Sequence, residues 1–222
     1  MNYNELLTYL YDNQDKKYAD FSKSLSNSDY KVIGIRMPIL KQFVKDHYKD
    51  EDLKIEDFKL GEILEIDYLY FTISLKRLSD LTSQLEFVHK NIKKAKSWII
   101  TDCINSFLKK PNLELCMAYF EKMYNSKHIY ERRYAYVCLL NFHKDNRVLE
   151  VLNCIREDDE YMVMMAEAWL LATIAIDYPE EIYNKLLTLK DDKLRRKTIA
   201  KIVESFRISD EMKEKFKLLR SI

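Results

Sequence analysis

Glycine and proline are scarce in this chain, with two glycines and three prolines among 222 residues. Sheets and long loops draw on both residues for their turns, so the shortage favours helices joined by short connections. No apolar run reaches the roughly 18–20 residues of a membrane span. The richest, Met162 to Ile176, is interrupted by Glu167. The opening MNYNELLTYLYDNQD carries acids and lacks a basic leader, so no secretory signal is expected and the expected compartment is the cytoplasm. The four cysteines lie 13, 22 and 16 residues apart, each among helical apolar residues, which reads as buried reduced thiols. The histidines at 47, 89, 128 and 143 show no metal spacing, and a Gly-rich phosphate loop is missing. Neither a metal nor a cofactor is expected. A net charge of +1 gives no global attraction to a polyanion, so any nucleic-acid surface has to come from how the 37 basic residues are distributed.

The chain has a helical apolar period nearly throughout. Ile39, Leu40, Phe43 and Val44 follow it, with Pro38 suited to a first helical turn. Ser83 and Glu86 have a capping-box spacing ahead of Phe87 and Val88, and Pro111 is placed to open the next helix. Further helices are expected over about 129–143, 147–156, 160–177, 180–190, 193–207 and 210–220. Paired helices with short turns, several of them apolar on more than one face, suggest stacked repeats, although a helix bundle would share these features. No linker is visible, so residues 1–222 read as one all-α domain.

The only two tryptophans, Trp98 and Trp169, stand 35 and 36 residues from Arg133. A step of about 35 residues is one helix–turn–helix repeat, which would place the three on one face. Asp102 follows Trp98 by one helical turn. An ordinary reading makes Trp98 a core anchor and Asp102 a solvated or capping residue. The other is a site in which a carboxylate is flanked by aromatics on a cationic surface. Basic residues cluster at Lys90, Lys93, Lys94 and Lys96, at Arg132 and Arg133, and at Lys193, Arg195, Arg196, Lys197 and Lys201. Each is a solvated helix face in the simplest reading; together they could track a phosphate backbone.

The stretches SWIITD (97–102), YERRYAYVCLL (130–140), EYMVMMAEAWLL (160–171) and RKTIAKIVESFRIS (196–209), in this order, resemble the AlkD-like DNA alkylation repair proteins. The resemblance extends over most of the chain, from IGIRMPILK (33–41) onward. It implies a right-handed α-solenoid of HEAT-like repeats with a concave cleft for duplex DNA carrying alkylated bases. It also implies a monomer acting at the nucleoid that hydrolyses the N-glycosidic bond of cationic N3- or N7-alkylated purines. By motif, Asp102 would be the catalytic carboxylate, and Trp98 and Trp169 would flank the lesion nucleotide. Arg133 would hold the DNA backbone, with Arg132, Lys94, Lys96, Arg196 and Lys197 as further backbone contacts. Some members carry an arginine one turn after the second tryptophan, where this chain has Ala172. Many have an acidic pair in the region corresponding to Glu65–Tyr70. The alternative is a non-catalytic helical-repeat module that binds DNA or a protein.

Overall fold

Residues 1–26 and 28–221 are described by a computed structural model, and among them thirteen α-helices form and no strand does. One isolated parallel bridge joins Lys31 to Ile63. This all-helical architecture is compatible with a helical repeat. Contacts divide the chain into two compact units, Met1–Asn112 and Leu113–Ile222.

The first unit holds α1 (Tyr3–Asp12), α2 (Lys16–Ser26), α3 (Met37–His47), α4 (Leu64–Arg77), α5 (Leu81–Asn91) and α6 (Trp98–Ile104). A reciprocal capping box between Asn2 and Glu5 starts α1, and Pro38 occupies the first turn of α3 as its fixed φ favours. The start of α5 differs from expectation. Asp80, not Ser83, is the cap: its carboxylate accepts the Ser83 amide at 2.9 Å, which puts Ser83 inside the first turn. Asp80 is the stronger acceptor because it is charged. The centre of the unit is α4, against which α3, α5 and α6 pack. Its Ile66, Leu69, Phe71, Ile73 and Leu75 are wholly buried, each contributing about 1.5–3 kcal/mol by leaving water.

The second unit holds α7 (Leu113–Tyr124), α8 (Ile129–Leu139), α9 (Val148–Leu152), α10 (Tyr161–Ile174), α11 (Pro179–Thr188), α12 (Asp192–Glu204) and α13 (Asp210–Lys217). Pro111 lies outside α7, which begins two residues later. The helix expected over 147–156 stops at Leu152. The amides of Arg156, Glu157 and Asp158 are instead taken by the carboxylate of Glu167, at 2.9, 3.0 and 3.1 Å. α8 and α12 pack on α10, and α7 packs on α8. The apolar faces of α10 are thereby covered on more than one side, as its composition suggests, with Leu170, Leu171 and Ile174 wholly buried.

The 35-residue step is longer than the interval between the starts of the helices that carry Trp98, Arg133 and Trp169. Trp98 is the first residue of α6, Arg133 the fifth of α8 and Trp169 the ninth of α10. Each residue therefore sits one turn further into its helix than the one before.

Candidate nucleic-acid interface

In the first unit, the site is built on the start of α6. Ser97 is fully buried and caps the helix: its hydroxyl accepts the Ile99 amide at 3.3 Å and donates to the Ser26 carbonyl at 3.1 Å. That pins the helix start to the end of α2. Trp98 adds a second tie, its indole Nε1–H donating to the Leu25 carbonyl at 3.0 Å. Ile100, Thr101 and Ile104 face the core, leaving Trp98 and Asp102 half-buried. Asp102 stands one turn along, its Oδ1 accepting the Thr101 hydroxyl at 3.0 Å. Burial raises the neighbouring Cys103 thiol to about 11, with the Asp102 charge adding to the rise.

Two lysines stand just before this helix. Lys94 is exposed, its ammonium 2.9 Å from the Asn91 side-chain oxygen and 5.5 Å from the Tyr70 ring centre. Exposed Lys96 donates from Nζ to the Gly61 carbonyl at 2.9 Å, and its backbone amide donates to the Tyr30 hydroxyl at 3.1 Å. The Tyr30 hydroxyl in turn donates to the buried Asp67, whose other oxygen accepts the Gly61 amide at 2.9 Å. Burial lifts the Asp67 carboxyl to about 6, opposed by these hydrogen bonds and by the Lys96 charge.

In the second unit, the two adjacent arginines of α8 diverge. Arg133 is only 5% exposed, and its guanidinium donates to the Met162 carbonyl at 2.5 Å. Arg132 holds Asp158 through two nitrogens, at 2.8 and 3.3 Å, and also donates to the Ser126 carbonyl. Trp169 is half-buried and forms the wall of a shallow depression of about 240 Å³. Ala172 lines the same depression from α10, and Lys201 and Arg207 add basic side chains beside the acidic Glu204. Arg196 and Lys197 are exposed on α12. Arg196 pairs with Asp192 at 2.7 Å, and Lys197 lies 5.9 Å from the Tyr161 ring centre.

The structure thus brings Trp98 and Asp102 together in the first unit, while Arg132, Arg133, Trp169, Arg196 and Lys197 belong to the second. Residues 6–200 match the profile of the DNA alkylation repair enzymes. The chain belongs to that family. Membership gives this family member a role in the repair of alkylated DNA, with DNA as the substrate. No match was found among curated proteins. Among the described residues, no helix is long and apolar enough to cross a membrane, and no cluster of His, Cys, Asp or Glu could hold a metal ion.

The sequence flags an acidic pair in the Glu65–Tyr70 region and an interruption at Glu167, but not that Glu65 and Glu167 are buried carboxylates that organise loops in this family member. Glu65 on α4 accepts the amides of Ile33, Gly34 and Ile35, at 3.1, 2.7 and 3.3 Å. Glu167 does the same work from α10. One signal was present for the first: Gly34 is one of only two glycines, and it adopts φ +94° where the loop turns over the carboxylate. Glu65 and Asp67 are both acidic residues of the 65–70 region, and both point inward onto amides or hydroxyls.

Proposed function

We propose that this protein is a DNA glycosylase that removes cationic N3- and N7-alkylated purines from duplex DNA. In this reading the helical repeats form a right-handed solenoid, its concave cleft holds the duplex, and the protein acts as a monomer at the nucleoid. The observation that carries the reading is Asp102. It is a half-buried carboxylate one turn from Trp98, on a helix whose start is tied twice to α2, in a chain of the DNA alkylation repair family.

The chemistry follows from the substrate. Alkylation at N3 or N7 leaves the purine positively charged and its glycosidic bond weakened. As that bond breaks, its electron pair passes to the base and the positive charge to the sugar. Asp102 would stabilise the oxocarbenium-like sugar and orient water toward C1′. Water adds to the sugar carbon, its proton is released, and the neutral alkylpurine departs. The indoles of Trp98 and Trp169 would favour the cationic nucleotide by about 0.5–2 kcal/mol when desolvated. Arg133, Arg132, Lys94, Lys96, Arg196 and Lys197 would hold the phosphodiester backbone, which positions the duplex without reading its sequence.

The test is release of N-methylpurine from alkylated duplex, scored as abasic sites. Wild type is expected to release the base. Asp102→Asn is expected to lose about two to three orders of magnitude in rate, as removal of a group stabilising developing charge does elsewhere. Release undiminished in Asp102→Asn removes this residue from the catalytic role. The second reading is a non-catalytic module binding DNA or protein. The inward engagement of Arg132 and Arg133 favours it, because guanidinium groups committed within the fold offer less to phosphate. Absence of release from any cationic alkylpurine decides for that reading.

A further inference from the structure

One face of α10 stays uncovered. Tyr161, Met165, Trp169 and Thr173 follow one another at four-residue steps and remain open to solvent, while of the helix's other residues only Met162 is not buried. α12 packs alongside and edges this stripe with cations. Lys197 lies 5.9 Å from the Tyr161 ring centre, and Lys201 shares with Trp169 the shallow depression of the second unit. Ser205 and Arg207, from the turn between α12 and α13, complete the wall of that depression, in which Glu204 is the one acid.

Phe206 stands between Ser205 and Arg207, at the rim. Its side chain is fully exposed, whereas no other large apolar side chain among the described residues is more than 69% exposed. A partly exposed apolar residue is ordinary on a protein surface. A whole phenyl ring in solvent on a braced turn is not. The Ser205 amide donates to the Ile202 carbonyl at 3.1 Å, and its hydroxyl accepts the Arg207 amide at 3.2 Å. Just beyond, Ile208 is buried and the Ser209 hydroxyl accepts the Met212 amide at 3.3 Å, which starts α13. The turn is thus held on both sides of the ring, so little freedom is left to lose when the ring meets a partner. Arg207 is exposed beside it, its guanidinium in no ion pair among the described residues.

We infer that Phe206 is a wedge that enters the base stack of duplex DNA beside Trp169, with Arg207 and Lys201 on the adjoining phosphates. An aromatic ring flanked by cations suits nucleic acid, since the charges take phosphate and the ring takes a base face. Phenylalanine is among the side chains that part base steps from the minor groove. Unstacking costs least where the stack is already broken, so the wedge favours a damaged step over an intact one. Phe206 touches a neighbouring base in this role and not the reacting sugar, which makes it a positioning residue. The inference rests on DNA as the substrate of this family and needs no glycosylase chemistry.

The probes are a fluorescein-labelled duplex, intact or carrying a single tetrahydrofuran abasic analogue, bound to the full chain and followed by anisotropy across a salt series. Wild type is expected to bind the abasic-analogue duplex more tightly than the intact one. Phe206→Ala should weaken the former about ten- to a hundredfold and the latter less. Its salt slope and melting temperature should match wild type, because it removes neither a charge nor a buried group. Phe206→Trp should keep the affinity, and Arg207→Ala should lower the slope by about 0.9. Wild-type affinity in Phe206→Ala, equal loss on both duplexes, or the same loss in Phe206→Trp as in Phe206→Ala overturns the wedge alone. Failure of wild type to bind either duplex at low salt overturns the wedge and the DNA-binding reading together.

Discussion

The hydroxyl of Tyr30 donates to the carboxyl of Asp67 while accepting the backbone amide of Lys96, two residues before Trp98. A single buried tyrosine thereby links the first turn of α4 to the segment that opens α6. The link has an electrostatic cost, because Asp67 is wholly buried, and the Lys96 charge at the rim opposes that cost.

Stability is expected to fall as pH rises through the window between about 4 and 6. The Asp67 carboxyl keeps its proton up to about pH 6 when folded, against 3.8 in the ordinary state. Between those values the folded chain binds more protons than the unfolded one, so raising the pH favours unfolding. The gap corresponds to about 3 kcal/mol, fully lost above pH 6. Burial pushes the Glu167 carboxyl upward too, which adds a loss of the same sign. Urea denaturation of wild type and Asp67→Asn across this window isolates the Asp67 share. A wild-type curve parallel to that of the variant would refute it.

Removing either loop-holding carboxylate should loosen one loop and not the other. Glu65→Ala leaves the amides of residues 33–35 without their acceptor, and Glu167→Ala does so for residues 156–158. Each change is expected to cost about 3 kcal/mol or more. The Glu65 change should cost more, because its hydrogen bonds are buried and those of Glu167 are partly so. Hydrogen exchange at these amides gives the readout: protection should vanish at the affected trio alone.

Basic residues of the second unit should separate into two classes. Arg132 sits in a two-point pair with Asp158, both side chains largely buried, so Arg132→Ala is expected to lower the melting temperature. Arg133→Ala should do likewise, since the residue is 5% exposed. Arg196 is exposed and paired only locally with Asp192, so Arg196→Ala and Lys197→Ala should leave stability within about 0.5 kcal/mol. If those two contact phosphate, each substitution lowers the slope of log affinity against log salt by about 0.9. An unchanged slope in both would take α12 out of the interface.

The helices were legible because their signals are local. The 3.6-residue apolar period, Pro38 in the first turn of α3 and the scarcity of glycine all read directly from neighbouring residues. Errors arose where two local signals competed or where a distant group intervened. Asp80 outcompeted Ser83 as a cap three residues away, and Glu167 withdrew the amides that would have extended α9. The 35- and 36-residue spacing of Trp98, Arg133 and Trp169 differs from the spacing of the helices that carry them, so the three stand at the first, fifth and ninth positions of their helices.

By itself, the sequence determined an all-helical chain of the DNA alkylation repair family, because apolar periodicity and motif order survive without coordinates. It also singled out the Trp98–Asp102 pair, which needs only one helical turn to form. Tertiary structure alone decided which polar groups leave water. A glutamate in a helix reads the same whether it faces solvent or three loop amides, and Glu65 meets Ile33, Gly34 and Ile35 from about thirty residues away. The commitment of Arg133 to a carbonyl on another helix is of the same kind. Burial and hydrogen bonding depend on groups that only the folded chain brings within hydrogen-bonding distance of one another.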